Sequence, residues 1–113
     1  MRYSLTAAIF LLLALICSGR VSAAGPLAES ASPYLRLHAA DAIAWRPWGE
    51  EALAEAKRLE RPIFLSIGYA SCHWCHVLSR TTFADERVIT LLNGHFVNIL
   101  VDREQRPDID AHF

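Results

Sequence analysis

The sequence predicts an α/β fold built on parallel strands, and three observations lead to this prediction. Residues 63–67 and 96–101 are apolar runs rich in β-branched and aromatic side chains, as is typical of buried strands. Helical patterns over residues 72–82 and 85–93 lie between them. A strand, helix, strand order with a connection of this length requires parallel strands that are joined right-handedly.

The first element along the chain, residues 1–24, has the three-part pattern of a signal peptide. Arg2 supplies a positive start, and Leu5–Cys17 is an apolar stretch too short for the roughly 20 residues of a membrane-spanning helix. Small residues follow, so we expect cleavage after Ala23 or Ala24. The cleaved protein would keep no stable membrane anchor, and the predicted location is secreted or periplasmic.

The predicted domain, residues 25–113, begins with an irregular segment and a helix. Prolines interrupt residues 25–47, although Ala42–Trp45 has the composition of a short strand. Residues 48–59 repeat apolar side chains at helical spacing, with charged side chains mostly on the other faces. Arg61–Pro62 ends this helix, because proline does not continue one.

The two main strands and their connecting helices have clear boundaries. Pro62 and Gly68 bound the first strand, which we expect to be buried. The cysteine-bearing helix follows a short loop. Asp85 is placed to cap the next helix, and Asn93–Gly94 is a stop signal for it. The second main strand comes directly afterwards.

Length, charge and composition exclude several classes of protein. The 113 residues allow one domain, and an apolar content of 53% is too high for a disordered chain. The 11 basic and 12 acidic side chains nearly cancel, so neither nucleic acid nor an anionic membrane surface is an expected partner. Of the three cysteines, Cys17 lies in the predicted signal peptide. The domain therefore carries a single C-x-x-C pair.

This pair, Cys72 and Cys75, opens a predicted helix directly after a strand. Positions i and i+3 share one helix face, about 5–6 Å apart at Cβ, and a small adjustment gives the roughly 3.8 Å that a disulfide needs. The helix N-terminus favours the thiolate of Cys72, which would attack a disulfide, and Cys75 would resolve the mixed disulfide. We therefore predict a thiol–disulfide oxidoreductase that acts on protein or small-molecule thiols and disulfides. Its redox-active disulfide would be its only cofactor.

Three neighbours of the cysteines receive supporting roles in this prediction. A protonated His73 would place positive charge beside Cys72, stabilise the reduced form and make the pair more oxidising. Tyr69 and Trp74 flank the cysteines and are candidates for substrate contact.

Other polar and aromatic side chains carry weaker signals. Tyr34 is expected in the core or along a groove, and His38 and His95 are expected to be solvated or structurally satisfied. The charged run 102–106 is a solvated loop by default. Because it follows the carboxyl end of a parallel strand, it is also placed to approach the dithiol.

Three alternative interpretations of the motif stay open. Cys72–His76 matches C-x-x-C-H, the attachment motif of c-type haem, with His76 as the proximal ligand. Because no methionine follows the signal peptide, the sixth ligand would be another histidine of the domain, His38, His95 or His112. The same motif supplies too few ligands for a tetrahedral zinc site, so no metal site is predicted. A purely structural disulfide is disfavoured, since so short a loop constrains the unfolded chain little.

Five blocks of residues follow one another along residues 28–110: Ser32–Leu35, Trp48–Ala52, Arg61–Tyr69, Cys72–Val77 with its CHWCH motif, and Val101–Asp110. Together they resemble the N-terminal thioredoxin-like domain of the spermatogenesis-associated, thioredoxin-domain protein family. The resemblance implies a thioredoxin fold in which Cys72 and Cys75 match the CxxC of the family. It implies no particular substrate.

The sequence departs from the family pattern at several points. Ala42–Ala44 stands where the family commonly has Asn-Pro-Val-Asp, and Ser79 stands where a glutamate is expected. Larger members carry a helical, glycosidase-like toroid after this domain, which this sequence does not include. We expect a truncated thioredoxin-like fold: the N-terminal βαβ half and its preceding helix are present, whereas the C-terminal ββα half and its cis-proline loop are missing. Pro107 belongs to the last matched block and is not a candidate for that proline.

The truncation leads to an expectation about stability. Two or three strands bury little area, and an outer strand would present an apolar edge to other chains. We therefore expect marginal stability and self-association through this strand edge. A non-catalytic remnant of a thioredoxin-like domain is the alternative to an enzyme.

Overall fold

The computed structural model describes residues 25–113, so the predicted signal peptide over residues 1–24 lies outside the described part. Within residues 25–113, none of the helices combines the length and the hydropathy needed to span a membrane. The elements follow in this order: α1 Pro33–Leu37, β1 Trp45–Pro47, α2 Glu50–Leu59, β2 Ile63–Gly68, α3 His73–Arg80, a 3₁₀ turn Thr82–Ala84, α4 Glu86–His95, β3 Val97–Asp102 and α5 Pro107–His112.

The strands form one parallel sheet in the order β1-β3-β2. The pairing of β2 with β3 runs from Ile63 opposite Val97 to Gly68 opposite Asp102, and β1 pairs with the other side of β3. The predicted α/β class and the parallel strand–helix–strand unit are confirmed. All strand pairs of the described residues are parallel, which is compatible with a partial thioredoxin-like fold.

The central strand β3 divides the hydrophobic core into two clusters, because alternate residues of a strand point to opposite faces of the sheet. All of its residues are buried. Leu100 belongs to a cluster with residues of α1, β1 and α4. Val97, Ile99 and Val101 belong to a second cluster, with residues of α2 and α5. The central position in the sheet thus accounts for the burial of every residue of β3, including the polar Asn98 and Asp102.

The strand β2 differs from the prediction in its burial. It was expected to be a buried strand, but most of its residues are only half-buried and Ile63 is 39% exposed. The reason is its place in the sheet: β2 has β3 on one side and no strand on its other side among the described residues. The apolar run identifies the strand correctly, but strand order determines how far it is covered.

The short strand near Ala42 is also displaced from its predicted position. The sheet pairing begins at Trp45 and ends at Pro47, not at Ala42–Trp45. The backbone groups of Ala42 and Ala44 bond to a side chain of α4 instead of to a neighbouring strand. The Oδ1 of Asn93 accepts from the amide of Ala44 at 2.8 Å, and its Nδ2 donates to the carbonyl of Ala42 at 2.9 Å.

The predicted helices are present, with one wrong boundary. The helix α2 is confirmed; it begins at Glu50 and is followed by Glu60, which adopts a left-handed conformation with φ of 52°. The helix α4 begins after Asp85, whose side chain accepts from the amide of Arg87 as an N-cap. It does not stop at Asn93–Gly94 but continues through His95. Asn93 uses its side chain for the long-range contact described above, and its backbone remains helical.

Candidate active site

The two cysteines lie at the first turn of α3, where the sequence places them. Cys72 is the N-cap, and its Sγ accepts a hydrogen bond from the amide of Cys75 at 3.2 Å. The two residues are joined by a disulfide, with their Cα atoms 5.3 Å apart. An N–H of the helix terminus therefore points at the sulfur of Cys72, which is the arrangement that stabilises a thiolate after reduction.

The residues between and after the cysteines shape the outer face of this turn. His73 and Trp74 are exposed, Trp74 at 75%, and their rings meet edge to face with centroids 5.2 Å apart. His76 points back, and its Nε2 lies 2.7 Å from the carbonyl oxygen of Ala70. Axial ligation of a haem through this nitrogen would require that hydrogen bond to break and the disulfide to be reduced.

Behind the disulfide, Gly68 leaves room for two other side chains. A Cβ added at this glycine would lie 2.8 Å from Cζ of Tyr34 and 2.9 Å from Sγ of Cys75. These distances are shorter than real Cβ contacts, so only glycine fits between the phenol and the sulfur without a shift of its neighbours. Gly68, at the end of β2, is thus bordered both by the buried Tyr34 and by the sulfur of Cys75.

The phenol of Tyr34 stays neutral in this environment. Its burial, followed by the negative charges of Asp102 and Asp41, raises the pKa of Tyr34 from 10.0 to about 12. At neutral pH the hydroxyl group therefore keeps its proton, and it retains both donor and acceptor capacity next to Cys75.

Asp102 ends β3 opposite Gly68 and is buried. Its Oδ2 accepts from the hydroxyl of Ser32 at 2.6 Å, and its Oδ1 accepts from the amide of Glu104 at 2.9 Å. Both carboxylate oxygens are thus occupied by hydrogen bonds. The expectation that this residue belongs to a solvated loop is wrong, because Asp102 is the last residue of the central strand.

The loop after β3 does approach the cysteine side of the sheet. The amide of Arg103 donates to the carbonyl of Gly68 at 2.9 Å, and its guanidinium lies 5.3 Å from the centroid of the Tyr69 ring. The guanidinium also faces Asp110, with a nitrogen–oxygen distance of 3.4 Å. Tyr69 is therefore held in a cation–π contact beside the loop that carries the cysteines.

A cavity of about 160 Å³ opens beside Cys75. Its walls come from the N-terminal segment, β2, β3 and α3, and most of them are apolar or aromatic: Tyr34, His38, Trp45, Ser66, Ile67, Trp74, Cys75, Leu78, Phe83 and Leu100. A cavity of this size lined by apolar side chains holds about one benzene-sized group. Cys75 is thus part of a largely apolar concave surface.

The structure brings together most of the residues that the sequence singled out, and adds others. Cys72, Cys75 and Trp74 share one turn, and Tyr69 is close by in the preceding loop. His38, expected to be solvated or structurally satisfied, is buried; one ring nitrogen is paired, and the other has no hydrogen-bond partner among the described residues. Four further residues lie behind the cysteines. Ser32 and Tyr34 received no site role from the sequence, whereas His38 was named only as an alternative haem ligand and Asp102 only as part of the charged run placed to approach the dithiol. In residues 25–113, no group of three or more His, Cys, Asp or Glu side chains is placed to hold a metal ion.

Comparison with known proteins identifies the relatives of the chain. The family model Thioredox_DsbH, described as "Protein of unknown function, DUF255", matches residues 24–113. Spermatogenesis-associated protein 20 of Rattus norvegicus is 49% identical over 87 residues, which are 77% of this chain and 11% of the relative. An uncharacterized protein of Caenorhabditis elegans is 52% identical over 84 residues, 74% of this chain and 12% of the relative.

The human protein of the same name as the rat relative shows a similar match. It is 48% identical over 84 residues, which are 74% of this chain and 11% of the relative. The chain therefore spans only about a tenth of the length of these curated relatives. With a family match that covers nearly all of the described residues, the chain belongs to the thioredoxin-like Thioredox_DsbH (DUF255) family.

Proposed function

We propose that the domain is a thiol–disulfide oxidoreductase of thioredoxin type. The observation that supports this most directly is the position of Cys72 as the N-cap of α3, with its Sγ accepting from the amide of Cys75 and bonded to its sulfur. The same hydrogen bond and the helix dipole would stabilise a Cys72 thiolate in the reduced protein. This stabilisation would make Cys72 the attacking group.

The reaction would proceed in two exchange steps. The Cys72 thiolate attacks one sulfur of a substrate disulfide, forms a mixed disulfide and releases the other substrate sulfur as a thiolate. The Cys75 thiolate then attacks Sγ of Cys72, and the second substrate thiolate leaves. Two electrons pass from the dithiol to the substrate disulfide. Run in reverse, the same steps would oxidise a substrate dithiol.

The remaining residues of the motif receive roles in this proposal. His73 is exposed on the first turn of α3, where its positive charge would raise the reduction potential. Trp74 lines the cavity beside Cys75, and Tyr69 lies beside Arg103, so both are candidates for substrate contact. The substrates would be protein or small-molecule thiols and disulfides.

Export is part of the same proposal. Residues 1–24 carry the signal-peptide pattern, and a disulfide persists in secreted or periplasmic compartments. Expression of the full chain in a bacterial host, followed by fractionation and N-terminal sequencing, tests this. We expect a processed protein that begins at Ala24 or Gly25; an unprocessed chain in the cytoplasm would refute export without affecting the chemistry.

Alkylation of the reduced protein tests the chemistry. In a chain with Cys17→Ser and Cys75→Ser, only Cys72 reacts with iodoacetamide, and its rate as a function of pH gives its pKa. We expect a value well below the ordinary 8.5 of a free cysteine. The matched chain with Cys17→Ser and Cys72→Ser should show an ordinary or raised value for Cys75. If Cys72 also titrates as a free cysteine, the domain is a non-catalytic member of the family.

A further inference from the structure

His38 is a buried histidine beside the redox pair that the two exchange steps leave unused. It is 8% exposed and follows α1 as its C-cap. Its Nδ1 lies 2.7 Å from Oδ2 of Asp41, and the same oxygen accepts from the indole N–H of Trp45 at 3.0 Å. Because a carboxylate only accepts, Nδ1 carries the ring proton in this hydrogen bond. Asp41 thus fixes both the orientation and the tautomer of the ring.

The other ring nitrogen, Nε2, has no hydrogen-bond partner among the described residues, although it is buried. An unpaired buried polar atom destabilises a fold, so natural structures keep few of them. In the tautomer that Asp41 selects, Nε2 carries a lone pair and no proton. His38 therefore holds a base that the hydrogen bonds within the domain do not use.

His38 and Cys75 line the same cavity, on either side of Tyr34. The rings of Tyr34 and His38 meet edge to face with centroids 4.8 Å apart, and the phenol also borders Sγ of Cys75 next to Gly68. General base catalysis needs the base within hydrogen-bond reach of the proton, directly or through one water. Tyr34 contacts the ring of His38 and borders Sγ of Cys75, on the cavity that all three residues line.

The other groups behind the cysteines are less suited to take up a proton. Both carboxylate oxygens of Asp102 already accept hydrogen bonds, and the phenol of Tyr34 is itself protonated. The titratable and charged groups that face or adjoin His38 are Tyr34, Asp41, Cys75, Asp102 and Arg46. Of these, Asp102 lies near Tyr34, and Arg46 is paired with Glu55 at 2.9 Å. Among them, Nε2 of His38 has the unused lone pair.

We propose that His38 accepts the proton of Cys75 when this cysteine resolves the mixed disulfide; this inference rests on the proposed oxidoreductase function. The thiol proton moves to Nε2, directly or through water, and the ring becomes an imidazolium opposite Asp41. The Cys75 thiolate forms its bond to Sγ of Cys72 as the bond from Cys72 to the substrate sulfur breaks. The substrate thiolate leaves with the electron pair, and His38 then returns the proton to solvent. Asp41 is the positioning residue for the ring.

A single-turnover reaction with dithiobis(nitrobenzoate) separates the two steps. In a chain with Cys17→Ser, Cys72 releases the first thionitrobenzoate and Cys75 releases the second, so absorbance against time has two phases. We expect His38→Gln to slow the second phase about a hundredfold at neutral pH and to leave the first unchanged. The deficit should shrink as the pH rises, because hydroxide then removes the Cys75 proton directly. His95→Gln, an exposed histidine on α4, is the matched control and should behave like the parent chain.

The outcomes distinguish this inference from the proposed function. If the parent chain releases no second equivalent, the oxidoreductase assignment fails; if it does so and His38→Gln keeps its rate and pH profile, only the role of His38 is refuted. Asp41→Asn leaves the ring in place and should slow the second phase severalfold, which provides the test should His38→Gln not fold. An unchanged second phase in that variant, or a loss confined to Asp102→Asn, would also refute the role of His38.

Discussion

Ser32 and Asp102, which are 70 positions apart in the sequence, share a buried hydrogen bond of 2.6 Å. The hydroxyl of Ser32 also accepts from the amide of Leu35 at 3.0 Å as the N-cap of α1. One oxygen thus fixes the start of α1 and ties this helix to the carboxyl end of the central strand. Tyr34 and His38 are positioned against the cysteines by this connection.

Replacement of Ser32 by alanine removes only one oxygen atom, but it should destabilise the domain strongly. The substitution removes an N-cap and leaves one oxygen of a buried carboxylate unpaired, and we expect a loss of about 2–3 kcal/mol in the free energy of unfolding. Urea unfolding followed by circular dichroism measures this. Ser79→Ala on α3, a serine whose side chain makes no hydrogen bond within residues 25–113, is the control and should change stability little. Equal effects of the two substitutions would contradict the assigned role.

A second prediction concerns the space between Tyr34 and Cys75. Gly68→Ala places a methyl group against both side chains, so we expect a loss of about 1–3 kcal/mol and slower closure of the disulfide. Gly94→Ala is the matched control, because a Cβ there meets no atom within 4 Å and lies in α4. Since alanine favours a helix over glycine, that control should gain about 1 kcal/mol. Thermal unfolding measures the stability, and refolding with oxidised glutathione measures the rate at which the disulfide closes. A Gly68→Ala protein as stable as its parent would show that the phenol of Tyr34 moves freely.

The sequence predicted the elements whose signals are local. The spacing of apolar side chains predicts α2, and the largely apolar run predicts β3. Each pattern lies within the segment that it describes, because it reflects which residues of that segment are buried. Asn93–Gly94 misled the prediction because the side chain of Asn93 bonds to Ala42 and Ala44 across about fifty positions, which no local pattern reveals. The exposure of β2 likewise depends on strand order, which only the folded sheet determines.

The candidate site shows the same difference between local signals, which the sequence reveals, and long-range contacts, which it does not. Cys72 and Cys75 were found because their chemistry depends on spacing within one helical turn. Ser32 was not assigned to the site, His38 was considered only as an alternative haem ligand, and Asp102 only as part of a run placed to approach the dithiol, because each is brought there from a distant segment. Two signals pointed towards them: a Ser-Pro-Tyr-Leu block in the resemblance, and an acidic residue at the carboxyl end of a parallel strand.

A third prediction follows from the pKa of Tyr34, which the fold raises from 10.0 to about 12. Below pH 10 both the folded and the unfolded chain keep this proton, so stability does not depend on it. Between about pH 10 and 12 the unfolded chain releases the proton while the folded one retains it, so stability falls as the pH rises. We expect Tyr34→Phe to flatten this decline in the melting temperature. In the parent chain, the phenolate absorbance of Tyr34 should emerge only near pH 12 or on unfolding; its appearance near pH 10 would contradict the prediction.

The reduction potential should respond to His73. Its positive charge next to Cys72 would stabilise the thiolate, so His73→Gln should lower the potential by tens of millivolts, where about 30 mV corresponds to a tenfold change in the equilibrium with a dithiol. Equilibration with glutathione redox buffers measures the difference. His112→Gln on α5, which lies outside the first turn of α3, is the control; a potential equal in all three proteins would exclude a role for His73.

The uncovered side of β2 leads to the last prediction, that the protein of residues 25–113 self-associates through this strand. Ile63 is 39% exposed on a strand that has one neighbour in the described sheet, and a charged side chain on such a strand opposes pairing with another chain. Ile63→Lys should therefore lower the average mass measured by light scattering over a concentration series, at a cost of about 1 kcal/mol or less in stability. Leu91→Lys replaces another exposed apolar residue, on the helix α4, and should leave the mass unchanged. If the parent protein is monomeric at every concentration, or if both substitutions reduce association equally, strand pairing through β2 is not the cause.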